Sequence, residues 1–403
     1  MNIAVLLWSP DISGGTNVVF EHVKRLKEFG HQVSMITEDP VGESDVSWHT
    51  GASALTWKTY DDVQEEVFDL AIATWWRTAL YLNRLHAKNY SYFVQSIESF
   101  FYPEEEKPLR LLVESTYNLP VWTITEAHWI QEHLKSRYFK MAKVVKNGIR
   151  KEIYKTDGAI KAERDATKLR VLVEGPLGVS FKNVEKTIEL CKQSDADEVW
   201  LLTSSPVDKY PGVDRIYSRV PVEETAEIYR SCDVLVKLSR VEGMFGPPLE
   251  MFHCGGTAIT YNVTGHEEYM IDTKNSFVLD MEDEAGVVER INMLKDDPEL
   301  LLALKKEAIK TAEKWPDWHQ SALEFEETLK NICVQSRQSI SELTPLIEMA
   351  WSQYGVAENY RLRVLDLEAS IRFRKIRAVL WEKFPKTYTW LASYKRTLLR
   401  KLQ

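Results

Sequence analysis

Ser239-Arg240-Val241-Glu242-Gly243-Met244-Phe245-Gly246-Pro247-Pro248-Leu249-Glu250-Met251-Phe252-His253-Cys254-Gly255-Gly256 is the stretch whose reading decides the fold. Proline suits the first turn of a helix and glycine its exit, so a short helix is predicted between Pro247-Pro248 and Gly255-Gly256. Ahead of it, Cys232-Asp233-Val234-Leu235-Val236-Lys237-Leu238 is apolar and β-branched and reads as a short buried strand. Glu242 then falls just past the carboxyl end of a strand, where open α/β sheets bind ligands, and Glu250 falls one turn inside the helix. The competing reading is an ordinary strand, loop and helix with two solvated glutamates. Against it, the loop Gly-Met-Phe-Gly-Pro-Pro is apolar and tight, a poor setting for a carboxylate that needs only water.

Working back toward the start, strand and helix patterns alternate. Leu169 to Glu174 reads as a strand, Asn183 to about Lys192 as a helix, Val199 to Thr203 as a strand and Val222 to Arg230 as a helix. After the opening stretch, helices are expected from Glu284 to Leu294 and from Pro298 to Lys314. These elements make one Rossmann-like unit, residues 169–330. The polar, aperiodic segment 155–168 suits a linker. Before it, residues 1–154 repeat the alternation. Met1 to Trp8 reads as a first buried strand rather than a leader, and Asp11-Ile12-Ser13-Gly14-Gly15-Thr16 is a loop whose glycines let a backbone approach a phosphate or sugar. Val18, Val19, His22, Val23 and Leu26 then recur at helical spacing until Gly30. Further strands are expected at His31 to Thr37, Phe68 to Thr74, Tyr90 to Gln95 and Val121 to Thr125, the last feeding a helix from Glu126 to Tyr138. Such alternation predicts parallel, doubly wound sheets, and two such units facing each other leave a cleft, the default ligand site. Trp75-Trp76-Arg77 and Ser99-Phe100-Phe101-Tyr102-Pro103 lie at expected carboxyl ends, where aromatic faces can stack on sugar rings; core packing is the commoner use of such side chains. His128 and His133 are off the spacing a helical metal pair needs.

The composition, 44% apolar and 28% charged, is that of a globular chain. No apolar run reaches the length that spans a bilayer. Cys191, Cys232, Cys254 and Cys333 are too dispersed for a disulfide framework or a paired-cysteine metal site, and read as free cytosolic thiols. The net charge of -9 divides unevenly: from Tyr360 onward there are 12 Lys+Arg against 3 Asp+Glu, a local +9 that leaves -18 on the preceding body. Residues 331–403 are therefore expected to form a helical, basic extension. Nucleic acid is disfavoured as a partner, because no binding motif accompanies the charge and the acidic body repels phosphate backbones. Trp381, Phe384, Tyr388, Trp390 and Tyr394 interleave with the basic groups of 360–403 as interfacial helices do, so an anionic membrane surface is the expected partner; packing on the body or on a second subunit of a homo-oligomer is the competing reading.

The spacing Glu242…Glu250, with Gly14-Gly15, Thr125-Glu126-Ala127-His128-Trp129, Asn147-Gly148-Ile149, Lys182-Asn183 and Gly265-His266-Glu267-Glu268 in that order along the chain, resembles the retaining nucleotide-sugar glycosyltransferases of family 4 over roughly Met1 to Lys330. Phe93 to Pro103 is similar to the bacterial rhamnosyltransferases that build surface polysaccharides. The resemblance implies an α/β GT-B fold, two facing Rossmann-like domains, the first on the acceptor side and the second binding the nucleotide sugar. It implies transfer of a hexose or deoxyhexose to a glycan or lipid-linked glycan, at the inner face of the cell membrane or in the cytoplasm. No metal or cofactor is implied.

By the same resemblance Lys182 is the candidate for leaving-group charge, Glu242 grips the donor sugar and Glu250 the ribose. Gln95 stands nearest the position of a donor-contacting His, which makes Glu242, Lys182 and Gln95 the candidate catalytic set. Gly14, Gly15, Phe245, Gly246, Arg240 and Gly265 complete the donor site, and Trp75, Arg77, Glu98 and Tyr102 are the acceptor-side candidates. Three positions depart from the family pattern: Pro176 replaces a phosphate-binding Arg, Gln95 the His, and Phe245 a glycine that here comes one residue later as Gly246. Arg240 or Arg219 is the expected substitute for the missing Arg. A nucleotide-sugar-binding scaffold without catalysis, or a GT-B relative such as an epimerase, are the other readings.

Overall fold

The structure is a computed structural model that describes residues 1–165, 167–335 and 339–384. The first half runs β1 (Asn2–Leu6), α1 (Gly14–Glu28), β2 (Gln32–Thr37), β3 (Thr56–Thr59), β4 (Val67–Ala73), α2 (Trp76–Ala79), β5 (His86–Val94), α3 (Lys107–Ser115), β6 (Trp122–Thr125), α4 (His128–Tyr138) and β7 (Ala142–Val144). Its strands make one parallel sheet in the order β3-β2-β1-β4-β5-β6-β7. Ile3, Ala4, Val5 and Leu6 are all buried, as expected for a strand covered on both faces. Ser13 caps α1 by accepting from Thr16 N, and Gly30 ends the helical run with φ +89°, which a side chain would resist.

The second half contributes β8 (Arg170–Glu174), α5 (Val184–Gln193), β9 (Glu198–Thr203), β10 (Arg215–Ser218), α6 (Val222–Ser231), β11 (Val234–Lys237), α7 (Gly246–His253), β12 (Thr257–Tyr261), β13 (Phe277–Leu279), α8 (Glu284–Asp296), α9 (Pro298–Glu313) and α10 (Trp318–Cys333). The second sheet is again parallel, in the order β10-β9-β8-β11-β12-β13. In both sheets the strand order reverses beside the first strand, between β1 and β4 and between β8 and β11. A doubly wound sheet opens its ligand crevice at such switch points. Gly14-Gly15 follow β1, Thr74-Trp75 follow β4, Lys182 follows β8 and Glu242 follows β11, so these candidates sit at the two reversals.

Two boundaries differ from the sequence expectation. The helix α10, expected with the second unit, lies on the first: Trp318, Phe325, Leu329 and Ile332 join Val19, Val23, Leu70 and Phe93 in one core, and His22 stacks on Phe325 at 4.2 Å. Segment 155–168 does not bridge the domains. It lies along α6, with Lys161 N and Arg164 Nε donating to Ser231 Oγ (2.8 Å) and Arg230 O (2.6 Å). The chain crosses at Asn147-Gly148-Ile149, where the family resemblance puts the domain crossover, and returns at Pro316-Asp317, where Ile149 N donates to Pro316 O at 3.2 Å. A Cβ on Gly148 would coincide with the backbone of Trp318, so only glycine lets the two crossings touch.

Among the described residues the extension forms a single 44-residue helix, α11 (Ile340–Lys383). Gly355 within it costs only about 1 kcal/mol relative to alanine, too little to break so long a run. Leu343, Ile347 and Ala350 pack into the first domain's core with Leu112 and Val113 of α3. Tyr388, Trp390 and Tyr394 lie outside the described residues. Among the described residues no helix is long and apolar enough to cross a membrane.

Candidate active site

The loop after β8 makes a 3-10 turn at Ser180–Lys182, and Asn183, in the left-handed region at φ 55°, turns it into α5. Asn183 Nδ2 donates to Leu238 O at 3.1 Å, tying this loop to the one after β11. Lys182 Nζ then reaches both oxygens of the buried Glu242, at 2.9 and 2.8 Å. A second ammonium flanks the same carboxylate: Lys237, at the end of β11 and only 3% exposed, lies 3.9 Å from Glu242 and donates to Glu174 Oε2 at 2.5 Å. Burial pushes the Glu242 carboxyl up, but Lys182 and Lys237 outweigh it and hold the group below the ordinary range. Burial also works against the charge on Lys237, and Glu174 and Glu242 overcome it. Glu250, on α7, is pushed up to about 7 by burial and by the Glu174 carboxylate, against the opposing Tyr229 hydroxyl, Arg150 and Lys237.

The other wall comes from the first domain. Gly15 lies against Gln95, where an added Cβ would stand 3.3 Å from Gln95 Oε1. Gln95 Nε2 donates to Thr74 O at 3.3 Å, and its Oε1 has no hydrogen-bond partner among the described residues. Gly243 meets this wall: a Cβ there would collide with Gln95 O and stand 2.9 Å from Glu126 Oε1. Glu126 accepts from Met244 N and from Asn147 Nδ2, each at 2.8 Å, and Trp129 Nε1 donates to Gly243 O at 2.9 Å. Burial, with Glu242 adding to it, pushes Glu126 up to about 7 against those two bonds. His128 Nδ1 is 2.9 Å from Glu268 Oε2, and a Cβ on Gly265 would run into Gly243 O. Gly14 and Gly246, at the starts of α1 and α7, have open space where a side chain would stand. Two helix N-termini, two lysines and an unpaired amide oxygen thus border the crevice.

The structure brings together Lys182, Glu242, Glu250, Gly15, Gln95, Gly246 and Gly265, and disperses other candidates. The Arg240 guanidinium pairs with Glu282 at 2.7 and 3.2 Å while its backbone N donates to Phe181 O at 2.7 Å beside Lys182, and Arg219 donates to Ser204 O at 3.1 Å. Phe245 is fully buried, its carbonyl accepting from Tyr269 Oη. Glu98, proposed for the acceptor side, is enclosed in the first core at 1% exposure. It accepts from Trp76 N and Tyr92 Oη, each 2.7 Å, and burial pushes it up to about 8 against those bonds. Tyr102 Oη accepts from Trp76 Nε1 at 3.0 Å, and Arg77 is sandwiched between Trp8 and Trp76, 4.6 and 5.0 Å from the ring centres. Trp75 does border the gap, stacking on Phe101, which stacks in turn on Phe181 across the domains at 5.3 Å. Lys237 and Phe181 were not singled out from sequence. A lysine in an apolar strand was a legible signal; the Phe101 to Phe181 contact had none.

Residues 215–311 match the family model described as Glycosyl transferases group 1, a span that holds Glu242, Glu250 and Gly265 but neither Lys182 nor the first domain. No curated protein matches the chain. Among solved structures, sucrose-phosphate synthase from Thermosynechococcus elongatus superposes with TM-score 0.66 at 17% identity, covering 82% of this chain and 99% of that one. HepE from Anabaena, in complex with UDP-glucose, gives 0.66 at 15%, covering 82% and 100%. A TarM variant from S. aureus, in complex with fondaparinux, α-GlcNAc-glycerol and UDP, gives 0.63 at 10%, covering 82% and 100%. At such identities the likeness carries the fold: two parallel-sheet α/β domains of the GT-B type with a helical C-terminal extension.

Proposed function

We propose that the chain is a retaining, metal-independent glycosyltransferase that moves a sugar from a nucleoside diphosphate donor to a glycan or lipid-linked glycan. The observation that carries this reading is the pairing of Lys182 and Lys237 around the buried Glu242, one residue before the Gly243 that meets the first domain. The bond from the anomeric carbon to the β-phosphate oxygen breaks, the acceptor oxygen bonds to that carbon from the same face, and the acceptor proton passes to the departing phosphate. Charge therefore builds on the diphosphate, and preorganised cations and helix N-termini are the means to stabilise it without a metal. Lys182 supplies the first cation. Lys237 supplies the second, in place of the Arg that Pro176 displaces, while Gly15 and Gly246 offer amides at the starts of α1 and α7.

Glu242 and Gln95 Oε1 accept from hydroxyls of the donor sugar, and Glu250 from the ribose. UDP-sugars are the first donors to try, since HepE was solved with UDP-glucose. The test is a panel of nucleotide sugars incubated with the protein, with and without crude bacterial surface glycan as acceptor, followed for free nucleoside diphosphate. Release that rises with acceptor is expected. Measurable donor binding with no release from any donor would support a donor-binding scaffold instead.

A further inference from the structure

From Tyr360 to Phe384 the helix α11 and the residue after it leave the body, and every described side chain except Arg361 and Ser370 is exposed. Tyr360, Val364, Leu367 and Ile371 recur at steps of four, three and four, Trp381 falls in the same register ten residues on, and each of the five is between 50% and 66% exposed. That is a heptad seam, with Val364 and Ile371 at its first apolar position and Tyr360, Leu367 and Trp381 at its second. Ala357 and Ala378 fall at the first position in the flanking heptads, and Arg374 at the second. The seam spans four heptads, residues 357–384, long enough for a coiled coil. Val364 and Ile371 at the first position with Leu367 at the second is the combination that favours two strands over three or four in a parallel coiled coil.

We propose that this seam pairs with the same seam of a second copy of the chain, as a parallel, in-register coiled coil. The flanking charges specify that partner. In such a pair, the residue before each first position faces the residue five places on in the other helix, which sets Arg363 against Glu368 and Arg377 against Glu382 of the second copy. In the antiparallel arrangement centred on Ser370, Arg363 instead faces Arg377, a repulsive pair. No ion pair of Arg363 or Glu368 within the chain appears among the described residues, whereas Arg361 is already paired with Glu358 at 2.6 Å. A second apolar row, Leu362, Leu365, Ile376 and Val379, lies on the opposite side of the helix. An anionic lipid surface suits a helix whose polar face is uniformly basic; here Asp366, Glu368 and Glu382 interrupt the basic residues.

The test is sedimentation equilibrium on the full chain. The expected mass is twice that of the chain, falling to one chain in the double variant Val364→Asp/Ile371→Asp with nucleoside diphosphate release per chain unchanged. Arg363→Glu alone weakens the dimer, and Glu368→Arg added to it restores the dimer, which a misfolded variant could not do. A wild type that stays monomeric, or a dimer indifferent to Val364→Asp/Ile371→Asp but lost in Leu362→Asp/Leu365→Asp, overturns the assignment. So does a monomer that co-sediments with phosphatidylglycerol–phosphatidylcholine vesicles and is released by Leu362→Asp/Leu365→Asp, which makes lipid the occupant. Because mass is read independently of turnover, this outcome separates cleanly from failure of the transferase reading.

Discussion

The hydrogen on the α-carbon of Gly243 marks how closely the two domains meet, since any side chain there would strike Gln95 O and crowd Glu126. Gly243→Ala is therefore expected to hold the crevice open and to lower kcat/KM by about 10²-fold, the order that small misplacements of reacting groups cost. Its thermal unfolding should stay near wild type, because the collision is between domains and not inside a core; unchanged turnover would remove the contact from the account. Glu98 makes a second prediction. Its folded pKa of about 8 lies above the ordinary 4.5, so the contribution to stability is full below about pH 4.5 and is lost as pH rises through 8. Glu98→Gln stays neutral throughout, and between about pH 5 and 9 should gain on wild type by as much as about 5 kcal/mol in unfolding free energy. Parallel pH profiles in urea unfolding would contradict this. At this scale the sequence was half legible: Glu242, Glu250, Lys182 and Gln95 were readable from spacing and resemblance. That Arg240 turns to Glu282, or that Glu98 is walled in by Trp76 and Tyr92, depends on folding neighbours far apart in the chain.

Among elements, those with a strong local signature were legible. Pro247-Pro248 and Gly255-Gly256 bracket α7 as expected, and α5, α6, α8 and α9 fall within a residue or two of their periodic patterns. The short strands β3, β7 and β10 were not, since three or four residues at or near a sheet's margin carry little hydrophobic pattern. The position of α10 was not legible either: its amphipathic stripe fits either domain, and only the return crossing at Pro316-Asp317 decides between them. That crossing is testable. Gly148→Ala places a methyl on the backbone of Trp318, an overpacking that should cost more than about 2 kcal/mol. Equilibrium unfolding by denaturant reads this directly, and a loss below a few tenths of a kcal/mol would mean the two crossings separate without consequence.

The whole molecule is a pair of α/β domains continued by the helix α11, with the basic excess of the sequence gathered from Tyr360 onward. Each domain presents the switch point of its sheet to the other, and the return of α10 ties the second domain to the core of the first. The architecture follows from the strand-helix alternation, and the charge division from counting; how the crevice is lined does not, because Phe181 meets Phe101, and Gly243 meets Gln95, only across it. The role proposed for Lys182 is to carry the leaving-group charge of a sugar nucleotide at that crevice. Nucleoside diphosphate release by wild type and by Lys182→Ala, at saturating donor and acceptor, tests it most directly. Acceptor-stimulated release is expected, falling by about 10²–10³-fold in the variant; equal release by the two proteins would rule that role out.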